Sequence, residues 1–402
     1  MAHYFIQGGI VFSMIDDKKT GIIKDCVIEV KNGKIIGVGQ DIKIPSNSTV
    51  IDASSSVVVP GFVDAHSHIG LAYESFAFEQ KDINETTNPV TPELRVIDAI
   101  WPNDSAFEKA IAAGVTTVCV CPGSSNVIGG TVAVIKTYGR TVEEMLVRHP
   151  AGLKVAFGIN PKVSYGNQKR TPMTRMAIAA LFRKTFVDAL EYLKEKERAE
   201  NCKKESNKEC PKPPKRDLAK ETIVSLLKRE FPMRAHSARV DDLMTAIRIA
   251  EEFGIDLILD HAYEANYIAD EIARRNIPVI LGPYMRVRGS SESQEITFKT
   301  AKIMTDAGAL VAMMTDHPFT PEWYLPLQAA LAVREGMDPY DALKTITINA
   351  AKILGVDNRV GSLESGKDAD IAIFNKHPFN YDAITEYTII NGKIVYQNIS
   401  KS

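Results

Sequence analysis

The sequence predicts an α/β fold: a (β/α)8 TIM-like barrel with a small β-sandwich domain built from both termini. Two observations support this prediction. Between residues 59 and 358, eight strand-like apolar runs alternate with helical patterns, as such a barrel requires. Near each end of the chain, an Asn-Gly pair lies between two short apolar runs, which indicates a β-hairpin. We therefore assign residues 1–58 and 359–402 to the sandwich and residues 59–358 to the barrel.

The terminal hairpins are predicted from turn chemistry. Asn32-Gly33 separates residues 26–30 from residues 35–38, and Asn391-Gly392 separates two similar runs near the other end. Asn and Gly are the residues that most readily adopt the positive φ angles of a tight two-residue turn. Because both ends carry the same device, we expect them to meet in one sheet.

The eight predicted barrel strands are residues 62–68, 116–121, 132–136, 155–160, 233–237, 256–261, 278–281 and 310–315. After the fifth strand, Asp241 is the predicted N-cap of a helix, and Gly254 is predicted to end it. An insertion follows the fourth strand. It contains a charged amphipathic helix at residues 182–199 and a polar loop at residues 201–214, which we expect to be solvated surface.

The bulk composition is that of an ordinary globular protein. Of 402 residues, 45% are hydrophobic and 24% charged, with a net charge of -2, so nothing suggests a nucleic-acid or membrane partner. The N-terminus has no signal-peptide pattern, and no apolar run approaches the ~20 residues that a bilayer requires, so we expect a cytoplasmic protein. The five cysteines show no disulfide framework. Cys119 and Cys121 share a strand face, which is typical of buried small hydrophobes, although a soft-metal site stays open.

The first candidate ligands are His66 and His68, at the end of the first predicted barrel strand. Residues two apart on a strand point the same way, so both imidazoles can approach one metal ion. Three further residues close predicted barrel strands: His236, His261 and Asp316. Active sites of barrels lie at that face of the sheet, which predicts a shared metal site. The other histidines are interpreted as structural, with His317 left open because it follows Asp316; they are His3, His149, His317 and His377.

Several motifs resemble the amidohydrolase superfamily, and more narrowly its imidazolonepropionase-related branch. The likeness covers nearly the whole chain. The motifs are residues 60–68, 113–118, 315–318, 349–355 and 361–370.

The resemblance implies a ligand set and two catalytic roles. It implies that a divalent metal, usually zinc, is bound by His66, His68, His236 and Asp316. It also makes His261 a second-site ligand or the side chain that orients the attacking water. Asp316 would take a proton from that water and return it to the leaving nitrogen. Zinc suits this chemistry because it lowers the pKa of a bound water and polarises a carbonyl group.

The chain departs from the family pattern at two positions. Ile159 replaces a glutamate that serves as a metal ligand in relatives, and Ala238 replaces a histidine. A two-metal centre needs an anionic bridge, either a carboxylate or a carbamylated lysine, and isoleucine has no lone pair. We therefore expect one working metal. The glutamate that related deaminases use after the fifth strand is not evident, so hydrolysis of an amide or lactam is favoured over deamination.

The predicted function is a metal-dependent amidohydrolase that cleaves a C–N bond of a small amide, cyclic amide or dipeptide-like substrate. The alternative is a catalytically impaired paralogue with a binding or structural role, motivated by Ile159. The protein could also form a homo-oligomer, a point that the sequence leaves open. Two groups could bind a substrate carboxylate, or could be solvated surface. The first is the set Lys162, Tyr165, Lys169, Arg170 and Arg175, and the second is the pair Arg286 and Arg288. The glycine-rich loop at residues 122–130 is a substrate contact or a tight turn.

Overall fold

The computed structural model describes residues 3–15, 18–72, 81–205 and 210–398, and the strands of this part form two sheets. One sheet contains β1 (His3–Phe12), β2 (Ile22–Lys31), β3 (Lys34–Gly39), β4 (Thr49–Pro60), β13 (Ile371–Phe374), β14 (Thr385–Ile390) and β15 (Lys393–Gln397). The other contains β5 (Phe62–Ser67), β6 (Val115–Val120), β7 (Ile128–Lys136), β8 (Leu146–Ala156), β9 (Met233–Ser237), β10 (Leu257–His261), β11 (Val279–Leu281) and β12 (Val311–Met313).

The seven-stranded sheet joins the two ends of the chain. Its order is β15-β14-β13-β4-β1-β2-β3, and β13 pairs antiparallel with β4. Both predicted hairpins are confirmed: β2 pairs with β3 and β14 pairs with β15. Asn32 and Asn391 have φ angles of 53° and 50°, and the glycine after each is also positive, as the turn chemistry predicts. The domain boundaries at residues 58 and 359 stay a prediction.

The eight-stranded sheet runs in chain order from β5 to β12 and is barrel-like. The chain just after β12 is joined by backbone hydrogen bonds to the end of β5 and the residue after it: Asp316 N donates to His66 O at 3.0 Å, and His68 N donates to His317 O at 3.0 Å. All eight expected strands are present, but the sheet is mixed. β7 is antiparallel to both β6 and β8, whereas the other pairs are parallel. Antiparallel strands need no helical crossover, which explains how β7 follows β6 through a short loop.

The described helices are α1 (Lys18–Gly21), α2 (Ser105–Ala112), α3 (Val142–Met145), α4 (Ile159–Gly166), α5 (Arg175–Glu205), α6 (Leu218–Leu227), α7 (Val240–Phe253), α8 (Ala269–Arg274), α9 (Lys299–Asp306), α10 (Leu325–Arg334), α11 (Pro339–Thr345) and α12 (Ile348–Leu354). Helix α7 ends at Gly254 as predicted, with φ 64°, but the N-cap prediction was wrong. Arg239 occupies that position, and Asp241 lies in the first turn. Within the described chain, no helix combines the length and the apolarity needed to cross a bilayer.

Two predictions around the insertion were wrong. The fourth strand ends at Ala156 rather than at Asn160, because Gly158 adopts φ 86° and α4 starts at Ile159. The amphipathic helix extends past residue 199 to Glu205, so the predicted loop begins inside α5. Part of that loop, residues 206–209, lies outside the described residues. Cys202 and Cys210 form a disulfide, contrary to expectation. Their Cα atoms are 5.6 Å apart, within the usual bridging range.

Candidate metal centre

Three of the predicted ligands meet where the first and last barrel strands are joined. The potential ligand atoms of His66, His68 and Asp316 lie within 4.8 Å of one another, and all three residues are buried. Oδ1 of Asp316 is 3.0 Å from Nε2 of His68 and 3.5 Å from Nε2 of His66. The period-two spacing of the histidines therefore brings both rings to one carboxylate.

The other two predicted ligands stand beside this triad. The ring centroid of His261 is 5.2 Å from that of His66 and 4.1 Å from that of His236. The set of ligand atoms within 4.8 Å of one another contains neither His236 nor His261. Nε2 of His236 instead accepts a hydrogen bond from the Asn160 amide at 3.2 Å, and its Nδ1 lies 2.9 Å from Ser124 Oγ.

The surroundings fix the proton on three of the rings. His68 Nδ1 donates to Cys121 O at 2.7 Å, and His261 Nδ1 donates to Gly282 O at 3.0 Å. Because a carbonyl oxygen can only accept, each Nδ1 carries the proton and each Nε2 keeps its lone pair. His66 Nδ1 is held likewise by the Asp260 carboxylate at 3.1 Å. Nε2 of His261 is buried and has no hydrogen-bond partner among the described residues.

This arrangement fits a divalent metal. Neutral imidazoles that present Nε2, with Nδ1 bound to a carbonyl or a carboxylate, together with a carboxylate oxygen, form the donor set that zinc prefers. Burial keeps the rings neutral, since it holds the pKa of His66 and of His261 well below the usual value and lowers the pKa of His236 to about 3. The residues present could therefore hold the cofactor that the sequence predicts.

Lys154 on β8 was missed by the sequence analysis. It is fully buried, and its Nζ donates to His66 Nε2 at 3.0 Å. Burial lowers the pKa of its ammonium group. The available signal was a single charge inside the apolar run at residues 153–157, but the predicted strand began one residue later. Lys154 thus places an amine among the candidate ligands.

A buried ion pair supports His66 from behind. Arg234 donates through Nη2 to Asp260 Oδ1 at 3.0 Å and to Ala65 O at 2.9 Å. Asp260 therefore accepts from Arg234 through both oxygens and from the His66 ring through Oδ2. Both residues lie inside predicted strands. From these strands the sequence predicts only His236 and His261 as site residues. Their contacts fix the tautomer and the orientation of His66.

The backbone is strained at two of the candidate residues. His261 has φ 72° and Asp316 has φ 54°, a region that residues other than glycine rarely adopt. Asp64 helps to hold the second: its Oδ2 accepts from Thr315 N at 2.9 Å and from Thr315 Oγ1 at 2.6 Å. Strain of this kind is concentrated at functional sites, where the surrounding structure maintains it.

A cavity of about 480 Å³ opens onto these residues. His68, His236, His261 and Asp316 line it, together with Ile159, Ala238, Arg286 and the start of the predicted glycine-rich loop (Gly123, Ser124 and Ser125). The predicted cationic cluster after the fourth strand does not line it. Arg175 binds Asp242 and Glu292, and Arg170 contacts the Thr87 carbonyl. The volume suits a small molecule.

The fold and the site together define a protein with a candidate metal centre on a barrel-like sheet. The comparisons with known proteins identify its family. The model of the amidohydrolase family matches residues 219–395. The crystal structure of an amidohydrolase from Thermotoga maritima is 41% identical, with a TM-score of 0.92, and the match covers 98% of this chain and 100% of that one.

Two curated relatives are more distant. The amidohydrolase tasK of Hapsidospora irregularis is 27% identical over 87% of this chain, which spans only 37% of the length of that protein. An imidazolonepropionase of Symbiobacterium thermophilum is 24% identical over 89% of this chain and 85% of its own length. The chain belongs to the amidohydrolase family, in the branch related to the imidazolonepropionases. It is accordingly a hydrolase that acts on carbon–nitrogen bonds.

Proposed function

We propose that the protein hydrolyses the C–N bond of a small amide, cyclic amide or dipeptide-like substrate with one zinc ion as its working metal. The observation that carries this proposal is the fixed tautomer of three buried histidines: Nδ1 carries the proton, so each Nε2 keeps a lone pair. The Nε2 atoms of His66 and His68 lie beside Asp316 Oδ1, and His261 lines the cavity. His66, His68, His236 and Asp316 would hold the metal. When bound, it would lower the pKa of a water molecule and polarise the carbonyl of the substrate.

The protein's own residues would supply positioning and proton transfer. The Asp316 carboxylate would accept a proton from the attacking water and deliver it to the leaving nitrogen, which must be protonated before it departs. The free Nε2 of His261 would accept a hydrogen bond from that water and orient it. The buried residues at the metal end of the cavity, which include His68, His261 and Asp316, would limit competition from bulk solvent there.

Metal analysis and turnover test this proposal directly. Purified protein should contain about one equivalent of zinc, and removing the zinc should abolish hydrolysis of N-acyl amino acids, dipeptides or lactams until zinc is restored. Less than about half an equivalent of any metal, with no turnover on this panel, would favour the impaired paralogue instead. A cytoplasmic location and the oligomeric state stay predictions.

Lys154 favours a second form of the same site. Burial lowers the pKa of its ammonium group, which favours the neutral amine. Attack of that amine on carbon dioxide would form an N–C bond and release one proton, which leaves an anionic carbamate beside His66. Such a group would replace the carboxylate that Ile159 lacks and would permit two metals.

Labelled bicarbonate separates the two forms. If the carbamate exists, protein prepared with ¹³C-bicarbonate and excess zinc shows a carbamate carbon resonance and about two equivalents of metal. Lys154→Met should lose both the resonance and the second equivalent. The carbamate form would be excluded if the protein shows no carbamate resonance, binds one equivalent of metal and stays active as Lys154→Met. The one-zinc site would then be the working form.

A further inference from the structure

Arg286 is placed to contact whatever occupies the cavity. It lies between β11 and α9 and lines the same cavity as His236, His261 and Asp316. Of all lysines and arginines in residues 3–15, 18–72, 81–205 and 210–398, it alone lines this space. The other polar groups around it are neutral amides and hydroxyls, imidazoles and two carboxyl groups. Arg286 is therefore the one fixed positive charge that this wall offers to a small molecule.

The guanidinium group is held in place without being neutralised. It lies 5.3 Å from the centre of the Phe319 ring, and its charge acts on the neighbouring Tyr263, whose hydroxyl donates to Pro283 O at 3.2 Å. In the part of the chain that the structure describes, no carboxylate forms a salt bridge with it. Aromatic contacts of this kind orient a guanidinium plane and leave most of its five N–H donors available.

Arg175 shows what a structural arginine near this cavity looks like. Its Nε donates to Asp242 Oδ1 at 2.9 Å, and its Nη2 donates to Glu292 Oε1 at 2.8 Å. Two carboxyl groups thus pair with its positive charge and accept hydrogen bonds from its N–H groups. Of these two arginines, Arg175 behind the cavity wall is therefore saturated by carboxylates of the protein, whereas Arg286 in the wall is not.

The charge of Arg286 also reaches the candidate ligands. It contributes to lowering the pKa of both His236 and His261. A group bound to Arg286 would therefore lie in the same electrostatic environment as the groups that are proposed to act on the scissile bond.

We propose that Arg286 binds a carboxylate of the substrate, so that the natural substrates are small amides bearing a free carboxylate: N-acyl amino acids, dipeptides or carboxylated lactams. A planar guanidinium recognises a carboxylate through two parallel charge-assisted hydrogen bonds. This inference rests on the proposed hydrolase function, because it assumes that the amide lies at the metal centre. It makes Arg286 a specificity-determining residue.

The test compares acids with their neutral amides. Binding of N-acetyl amino acids and of the matching N-acetyl amino acid amides is measured by calorimetry on the zinc-loaded protein, and turnover is measured where it occurs. We expect wild type to bind the acids about 10- to 100-fold more tightly than the amides, and Arg286→Gln to abolish this preference while affinity for the amides stays within about twofold. Arg286→Lys should restore part of the preference.

Arg288→Gln is the matched control. Arg288 lies two residues away, does not line the cavity, and donates to Ile296 O at 2.8 Å, a bond that glutamine can replace. This variant loses the same charge and should keep the preference for acids. Equal binding of acids and amides by wild type, no binding of any acid, or a preference that survives Arg286→Gln would each overturn the inference. Failure of the hydrolase proposal would instead appear as absent turnover with the binding preference intact.

Discussion

Two polar clusters, each built around buried carboxylates, differ in how their charges are satisfied. The site cluster lies where β5 meets β12 and consists of His66, His68, Lys154, His261 and Asp316. The junction cluster lies between the two sheets and consists of Lys34, Lys136, Arg359, Asp368 and Asp370. Both remove charged or polar groups from water, which costs free energy unless partners compensate.

The junction cluster compensates its own charges. Lys136 on β7 contacts Asp370 and lies 3.0 Å from Asp368. Asp368 is also 2.7 Å from Lys34 and 2.9 Å from Arg359. Each carboxylate therefore has at least one cation beside it, and the cluster ties the eight-stranded sheet to the segment leading into β13. We interpret it as structural.

The site cluster does not compensate all of its lone pairs. Nε2 of His68 and Nε2 of His66 both face Asp316 Oδ1, although the surroundings place the proton of each ring on Nδ1. Within the described residues, the hydrogen-bond donor that faces these lone pairs is Lys154. The comparison teaches that mutually satisfied buried charges maintain a fold, whereas acceptors that converge on one point indicate the place of a missing cation.

Asp316→Asn should give the largest effect. Because the amide neither binds a metal strongly nor accepts a proton, we expect kcat/KM to fall by about 10³-fold or more. The free energy of unfolding should stay within about 1 kcal/mol of wild type, since the site is not built for stability. The measurements are steady-state kinetics on the best amide of a substrate panel and chemical denaturation.

Asp370→Asn is the matched change in the junction cluster. It should lower stability and leave kcat/KM of the folded protein within about threefold, because the two clusters share no side chain. If Asp316→Asn remains active, or if both variants lose activity equally, the distinction between the clusters is wrong.

Lys136→Met should give the largest loss of stability. The substitution leaves Asp370 without its lysine partner and removes one of the three cations around Asp368. Both aspartates are buried. Breaking a buried ion pair from one side typically costs about 3–5 kcal/mol, which urea denaturation would detect. Lys376→Met removes one partner of an exposed pair with Asp382 and should change stability little. Similar losses in the two variants would remove the structural role assigned to Lys136.

Asp260→Asn probes the support behind the site cluster. With the carboxylate gone, His66 loses the acceptor that fixes its tautomer, so zinc affinity should fall about 10- to 100-fold. Competition with a chromogenic chelator measures this in folded protein. Asp256→Asn is the control, because Asp256 lies just before the same strand and pairs with Arg229 at the surface. An unchanged zinc affinity in Asp260→Asn would exclude the proposed support.

Sequence patterns predicted the outer features of this site and missed its interior. The spacing of His66 and His68 and the strand-end position of Asp316 are local properties, so they were visible in the sequence. Lys154 and Asp260 lie inside strands, where their roles depend on which face of the sheet they occupy. The pairing of Arg234 with Asp260 joins neighbouring strands and cannot be deduced from either one.

The direction of β7 escaped prediction for a similar reason. A buried strand shows the same apolar run whether its neighbours are parallel or antiparallel. The apolar residues before Asn160 looked like a continuing strand, and only the positive φ of Gly158 explains why a helix begins at Ile159. The disulfide between Cys202 and Cys210 depends on how far α5 extends, which the charged composition of that segment did not indicate.

Glu292 is intermediate between the site cluster and the junction cluster, because its cationic partner only partly compensates its burial. It gives the smallest predicted effect. Its Oε1 accepts from Arg175 at 2.8 Å and from Ile159 N at 2.6 Å, yet burial outweighs these contacts and raises its pKa to about 7. The folded protein therefore holds this proton more tightly than the unfolded chain, where a glutamate has a pKa of about 4.3. The stability that this group contributes is complete below that value and is lost as pH rises to about 7.

Glu292→Gln should remove this slope from the free energy of unfolding. The loss between pH 5 and pH 8 should be on the order of 1–2 kcal/mol smaller in the variant than in wild type, after allowance for screening by solvent. Chemical denaturation at several pH values measures it. Glu295→Gln, at an exposed position in the same segment, should keep the wild-type slope. Burial also raises the pKa of Asp242, so the part of the slope due to Asp242 should remain in both variants. An identical slope in wild type and Glu292→Gln would mean that Arg175 compensates Glu292 fully, which would place this residue with the junction cluster.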